Sequence, residues 1–187
     1  MPVQKISKEE ILSATLDAFR QKGYYNTSME DLAQACGLHK GSFYHHFSSK
    51  EALMKTILEE MRNQLNQYVF SIAFDEKIAA EKRMTKLLML LKTHLLAQEG
   101  GCFIGNTTLE TAQHIPQFAD ILRGIFADWT AALQKIYSVR YANDVAFSIA
   151  QQTVMEFQGA VMMRNLFKDE AILQQSYERA MQRLVAG

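Results

Sequence analysis

Proline is almost missing from this chain: Pro2 and Pro116 stand alone in 187 residues. Little therefore interrupts helices, since proline is the residue that breaks them most strongly. Sustained alternation of apolar and polar residues between turn signals is also missing, and a half-buried strand requires it. The expected fold class is all-α. Cysteine is scarce, with Cys36 and Cys102 only, which excludes a disulfide framework and fits a reducing compartment. Lys5, Lys8, Glu9 and Glu10 break up any apolar run at the start, so no signal peptide is expected. No apolar run approaches the length needed to span a bilayer. A cytoplasmic protein without a membrane partner is the expectation.

Net charge is missing too, with 20 basic and 20 acidic residues. Phosphate attraction supplies most non-specific affinity for nucleic acid, so bulk charge does not announce a DNA binder. The argument for one is local. Lys40, His45, His46 and Lys50 cluster with few acids between them, and a dimer would double that patch. No His-x-x-x-His or Cys-x-x-Cys spacing suggests a metal site, and no cofactor is implied. The glycines around Gly100 are not followed by Gly-Lys-Ser/Thr, which excludes a phosphate loop.

What is present is a dense stretch from Thr27 to Glu51, TSMEDLAQACGLHKGSFYHHFSSKE. Thr27 with Glu30 reads as a capping box opening a helix, whose apolar face carries Met29, Leu32, Ala33 and Cys36. Gly37 is placed to take the left-handed conformation that ends a helix. Leu38 to Tyr44 then allows a short second helix, and Ser48 with Glu51 reads as the capping box of a third. This is a helix-turn-helix, whose second helix would lie in a DNA major groove.

The segment Ile11 to Leu58, centred on AFRQKGYYNTSMEDLAQACGLHKGSFYHHFSSKEAL, resembles the DNA-binding domain of the TetR family of bacterial repressors. The resemblance implies a helix-turn-helix domain over 1–50 and a helical effector-binding and dimerisation domain over 51–187, joined through a long helix. His39, Lys40 and Ser42 would then face base edges, Lys40 donating to guanine acceptors. Gly41 would let the backbone approach the duplex. Tyr44, His45 and Lys50 would reach phosphates, and the helix start at Thr27 and Ser28 would offer them backbone N–H groups. His39 departs from the small hydroxyl residue that similar proteins usually carry there.

Ser7 with Glu10 caps a first helix ending near Gly23. A long helix is expected over Ser48–Phe74 and another over Glu76–Gln98, stopped by Gly100-Gly101. Short and long helices follow over Cys102–His114 and Pro116–Tyr137, with Pro116 suited to a first turn. Asp144–Phe167 is apolar on nearly every side, so it should be buried from two directions. Asp169 caps the last helix. The final two helices are the candidates for a four-helix bundle between the subunits of a homodimer.

Effector contacts are sought among Cys102, Phe103, Phe118, Phe126, Trp129, Met155 and Phe157, because aromatics and methionines adapt to varied apolar shapes. His94 and His114 are candidate polar handles. The segment GCFIGNTTLE resembles the effector-domain start in a subgroup of TetR-type regulators, some responsive to electrophiles. Cys102 at a helix N-terminus would have its thiolate favoured by the helix dipole; a buried structural cysteine is the competing reading. The function expected is a ligand-responsive repressor, released from a palindromic double-stranded operator by a small apolar or electrophilic effector. Two other classes compete. One is a helical interaction protein that binds no DNA. The other is a cysteine hydrolase, for which His114 would be the base near Cys102.

Overall fold

A computed structural model describes residues 6–96 and 100–186, and every regular element among them is helical. Helix α1 (Lys8–Lys22) opens on a full capping box, with Ser7 Oγ accepting from the Glu10 N–H and the Glu10 carboxylate accepting from the Ser7 N–H. Hydrogen bonding from the Ser7 backbone, and then from its side chain, holds the Glu10 carboxyl below its usual value. Helix α2 (Met29–Ala35) is capped one residue later than the sequence suggests, by Ser28 with Asp31 rather than Thr27 with Glu30. The reason is that Thr27 is fully buried and its hydroxyl donates to the Gly23 carbonyl at 2.6 Å.

The turn after α2 is a Schellman motif. Leu38 N–H donates to the Ala33 carbonyl and Gly37 N–H to the Gln34 carbonyl, both at 2.9 Å, with Gly37 at φ +65°. Helix α3 (Lys40–His46) follows, and then α4 (Lys50–Gln64), capped by Ser49 rather than Ser48. Ile11, Phe19, Leu32, Phe43, Phe47 and Leu53 close a small core between these four helices. That core makes two short helices stable where either alone would not be.

Past Gln64 the helical path continues to Phe74, as the apolar stripe implies, but its hydrogen-bond pattern changes. Leu65–Val69 forms a π-helical turn and Phe70–Phe74 a 3₁₀ turn. The buried Arg83 guanidinium closes this end by donating to the Ala73 carbonyl at 2.6 Å. Helix α5 (Ala80–Leu95) starts later than expected, because Asp75 builds a turn by accepting from the N–H groups of Lys77 and Ile78. The expected end at Gln98 lies outside the described residues.

The remaining helices are α6 (Phe103–Thr111), α7 (Pro116–Tyr137), α8 (Asn143–Phe167) and α9 (Glu170–Ala186). Pro116 takes the first turn of α7, and the Asp169 carboxylate accepts from Ala171 N–H at the start of α9. The α7–α8–α9 layer is pinned by Tyr137, whose buried hydroxyl donates to the Ala180 carbonyl and meets Thr153 Oγ1, both at 3.1 Å. Within a single chain, helix α8 is buried on one side only. Ala146, Ala150, Thr153, Phe157 and Ala160 face the core, while Met155, Met162 and Leu166 are 65%, 61% and 70% exposed. Among the described residues no helix is long and apolar enough to cross a membrane.

Candidate nucleic-acid interface and effector cavity

Helix α3 is anchored by one side chain, Phe43, packed on Phe47. Its other residues face outward: His39, Lys40, Gly41, Ser42, Tyr44, His45 and His46 are all exposed. Lys40 Nζ lies 3.7 Å from the Glu30 carboxylate of α2, an exposed pair weak enough to open for a phosphate or base. Ser28 is exposed at the start of α2, but the backbone N–H groups expected to meet a phosphate are both engaged within the chain, that of Thr27 by the Tyr24 carbonyl at 3.4 Å and that of Ser28 by the Asp31 carboxylate at 2.8 Å.

Lys50 differs from the sequence expectation in the same way. Its Nζ donates to the Tyr24 carbonyl at 2.7 Å and sits 4.4 Å from the Tyr24 ring centroid. Burial lowers the Lys50 pKa, with the Glu110 charge acting against that. Lys50 therefore ties α4 to the loop after α1 instead of projecting toward a phosphate. The same loop meets the effector domain. Tyr24 N–H donates to the Glu110 carboxylate of α6 at 2.7 Å, and the Tyr24 ring packs edge-on against Phe118 of α7.

A second junction lies further along α4. Arg62 donates twice to Asp128 of α7, Nε at 2.7 Å and Nη2 at 3.2 Å, and Asn66 Nδ2 donates to the same carboxylate at 2.8 Å. Asn66 belongs to the π-helical turn, so the helix widens where it is fastened.

Between α6, α7 and α8 lies a cavity of about 410 Å³. Cys102 and Phe126 are the two sequence candidates on its wall. Phe103 instead packs under Arg20 beside a smaller polar cleft. Phe118 serves the junction with Tyr24. Trp129 and Phe157 form the aromatic core behind Phe126, Trp129 stacking on it with centroids 6.3 Å apart. Met155 faces solvent, because residues two apart on a helix point to opposite sides and Phe157 takes the inside.

The sequence candidates omit Gln158, Asn165 and Asn106, all on the cavity wall. Gln158 and Asn165 lie seven apart on α8 and so share a face, but α8 carries other polar residues, among them Gln151, Gln152, Glu156 and Arg164, and nothing in the sequence singles these two out.

Cys102 sits at the N-cap of α6 and is 3% exposed. Burial pushes its thiol up. Hydrogen bonds from the Gly105 backbone, the Gln158 amide and the Ile104 backbone, together with the Arg20 charge, pull it down without overcoming burial. The dipole effect expected from sequence is thus outweighed. Gln158 Nε2 is the side-chain donor to Sγ, at 3.5 Å. His114 lies beyond the far end of the nine-residue α6, about 14 Å away by helical rise, and so provides no base for a nucleophile.

Two family models match the chain. The one described as bacterial regulatory proteins of the tetR family covers residues 11–57, and the LmrA/YxaF-like transcriptional regulator C-terminal domain covers residues 80–179. The repressor DhaR of Mycobacterium sp. (strain GP1) is 25% identical over 174 residues, spanning 90% of this chain and 87% of DhaR. The transcriptional regulator AcuR of Cereibacter sphaeroides is 22% identical over 139 residues, 73% of this chain and 63% of AcuR. A TetR regulator from Legionella pneumophila superposes with a TM-score of 0.86 at 21% identity, over 97% of this chain and 98% of that one. The reduced form of NemR from E. coli does so with a TM-score of 0.78 at 17% identity, over 92% and 93%. With an exposed α3 on a helix-turn-helix and both domains matched, the chain belongs to the TetR family of bacterial transcriptional regulators.

Proposed function

We propose that this regulator is a homodimeric repressor, released from a palindromic operator when a small apolar molecule enters the cavity between α6, α7 and α8. The observation that carries this reading is the pairing of an outward-facing α3 with two fastenings that join its domain to the cavity helices. Glu110 on α6 holds the Tyr24 backbone, and Asp128 on α7 holds Arg62 of α4. Phe126, on the cavity wall, lies two residues before Asp128. A ligand that separates α6 or α7 from α8 therefore moves the groups that set the angle of α4. Two recognition helices must meet successive major grooves, about 34 Å apart. A ligand favouring any other spacing releases DNA by its differential affinity for the two states.

The apolar stripe of Met155, Met162 and Leu166 supports a two-fold α8–α9 bundle, since exposed apolar patches of this kind mark association surfaces. Reversible binding is favoured over covalent attack, because burial keeps the Cys102 thiol protonated at neutral pH. On α3, Lys40 and Ser42 read base edges while Tyr44 and His45 contact phosphates. The test is gel-shift titration on a duplex selected from the genome of origin. Lys40→Ala and Tyr44→Ala should each weaken binding at least tenfold while circular dichroism stays unchanged. Wild-type affinity in both variants would refute the placement of α3.

A further inference from the structure

Among the described residues the cavity wall carries no carboxylate, ammonium, guanidinium or imidazole. Its apolar part comes from Leu109, Phe126, Val161 and Met162, and its polar part from carboxamides on α6 and α8 and from the hydroxyl of Thr108. An ion entering such a site would give up part of its hydration with no opposite charge on the wall, the Arg20 guanidinium that acts on Cys102 lying beyond it over the Phe103 ring, which disfavours it. A neutral polar group has partners. Asn106 is committed, its Nδ2 donating to the Gly100 carbonyl at 2.8 Å. Gln158 is not: among the described residues its Nε2 faces only the Cys102 sulfur, at 3.5 Å, and sulfur is a weak acceptor.

The backbone of α6 is shaped to admit these amides. A Cβ on residue 105 would lie 2.6 Å from Gln158 Oε1, and one on residue 101 would lie 2.5 Å from Asn165 Nδ2. Glycine at both places lets the α8 amides lie close against the start of α6, at the cavity wall.

From this we infer that the cavity takes an uncharged, largely apolar molecule bearing a carbonyl or similar acceptor oxygen, and that Gln158 Nε2 donates to that oxygen. The amide exchanges a weak sulfur acceptor for an oxygen, while the ring or alkyl body of the ligand fills the space beside Phe126 and Met162. At about 410 Å³ the cavity is near the small end of known ligand sites, roughly 300–1,000 Å³, which suits a bicyclic aromatic ketone. Gln158 is thereby assigned as a specificity-determining residue. The inference rests on the cavity being the effector site of the repressor proposed above.

The test is isothermal titration calorimetry of the full-length protein, free of DNA, with three probes of similar size: 2-acetylnaphthalene, naphthalene and the anion 2-naphthoate. The ketone should bind at least tenfold more tightly than the carboxylate. Gln158→Met, similar in length and apolar, should weaken the ketone about fivefold, the worth of one hydrogen bond, and leave naphthalene within twofold. Thermal unfolding of the variant checks that it is folded. Gln158→Glu, which offers only acceptors when ionised, should weaken the ketone at least as much. Equal or tighter binding of the carboxylate would overturn the inference. So would unchanged ketone affinity in Gln158→Met, equal loss of ketone and naphthalene, or absence of heat from all three probes at 200 μM. Operator binding by the ligand-free protein is measured separately. A protein that follows the expected probe order but binds no operator would sink the repressor reading and leave the cavity chemistry standing.

Discussion

Replacing Asp128 by Asn removes the charge that holds α4 to α7 while keeping the side chain's shape. In the native protein one carboxylate accepts two hydrogen bonds from Arg62 and one from Asn66, at 2.7, 3.2 and 2.8 Å. The two ionic side chains are 40% and 26% exposed. An exposed pair contributes about 0–1 kcal/mol, and breaking a fully buried one costs about 3–5 kcal/mol. The bidentate geometry raises the value and the exposure of Arg62 discounts it, so a loss of about 1.5 kcal/mol is expected. Asparagine would also turn an NH₂ toward a donor.

Urea unfolding at fixed protein concentration reads this directly. With a slope of about 2–3 kcal/mol/M, the midpoint should fall by roughly 0.5–0.8 M. The pH dependence gives a second check. Burial works to raise the Asp128 pKa, but the hydrogen bonds from Arg62 and Asn66 and the Arg62 charge outweigh it and leave it lowered. A carboxylate lowered in the folded state stabilises fully above its unfolded value, near 3.8, and loses that contribution as pH falls through the folded one. The gap between wild type and variant should therefore stay constant from about pH 7 to about pH 5 and close below about pH 4. A gap under about 0.3 kcal/mol at pH 7, or one that widens on acidification, would refute the fastening.

Other outcomes follow from the same contacts. Lys50→Ala should lower the stability of the DNA-binding domain by about 1 kcal/mol, through loss of the Tyr24 carbonyl and ring contacts. It should change the salt slope of operator binding by well under one, whereas a drop of a full unit would return Lys50 to the phosphates. Met155→Glu and Leu166→Glu lie on the exposed face of α8. They should convert dimer to monomer in sedimentation without loss of helicity, and persistent dimers would place the interface elsewhere. Alkylation of Cys102 by iodoacetamide should be slow at pH 7 and rise about tenfold per pH unit beyond the ordinary thiol range, because burial raises the thiol pKa. Fast alkylation at pH 7, with release of operator, would restore a thiol switch.

Most of the fold was legible because helix boundaries are written in local chemistry. Pro116, Gly37, Gly23 and Asp169 each act within one turn, and each stands where its residue type implies. Capping choices slipped by one residue at Ser28 and Ser49, and at Ser28 the reason is that the neighbouring Thr27 is drawn inward by packing. The widening at Leu65 left no trace in the sequence, because α, π and 3₁₀ turns share one apolar periodicity to within a residue.

The site was legible less evenly. Residues of α3 were readable as exposed because only Phe43 is needed to hold so short a helix. The cavity was not, because its walls come from three helices that meet only in space. Residue type alone pointed to Trp129 and Phe157, which the core consumed. Gln158 and Asn165, which border the empty volume, read simply as polar positions. Lys50 shows the same limit from the other side, a cation in a basic cluster whose partner is a carbonyl of its own chain.

The central claim is that two copies of α3 read one dyad-symmetric duplex. Hydroxyl-radical footprinting on the genome-selected operator tests it most directly, with wild type beside Lys40→Ala. The expected pattern is two protected half-sites related by a dyad, their centres about 34 Å or a multiple of that apart. They should vanish together in the variant at the same protein concentration. Protection of a single half-site, no protection, or an unchanged footprint in Lys40→Ala would contradict it.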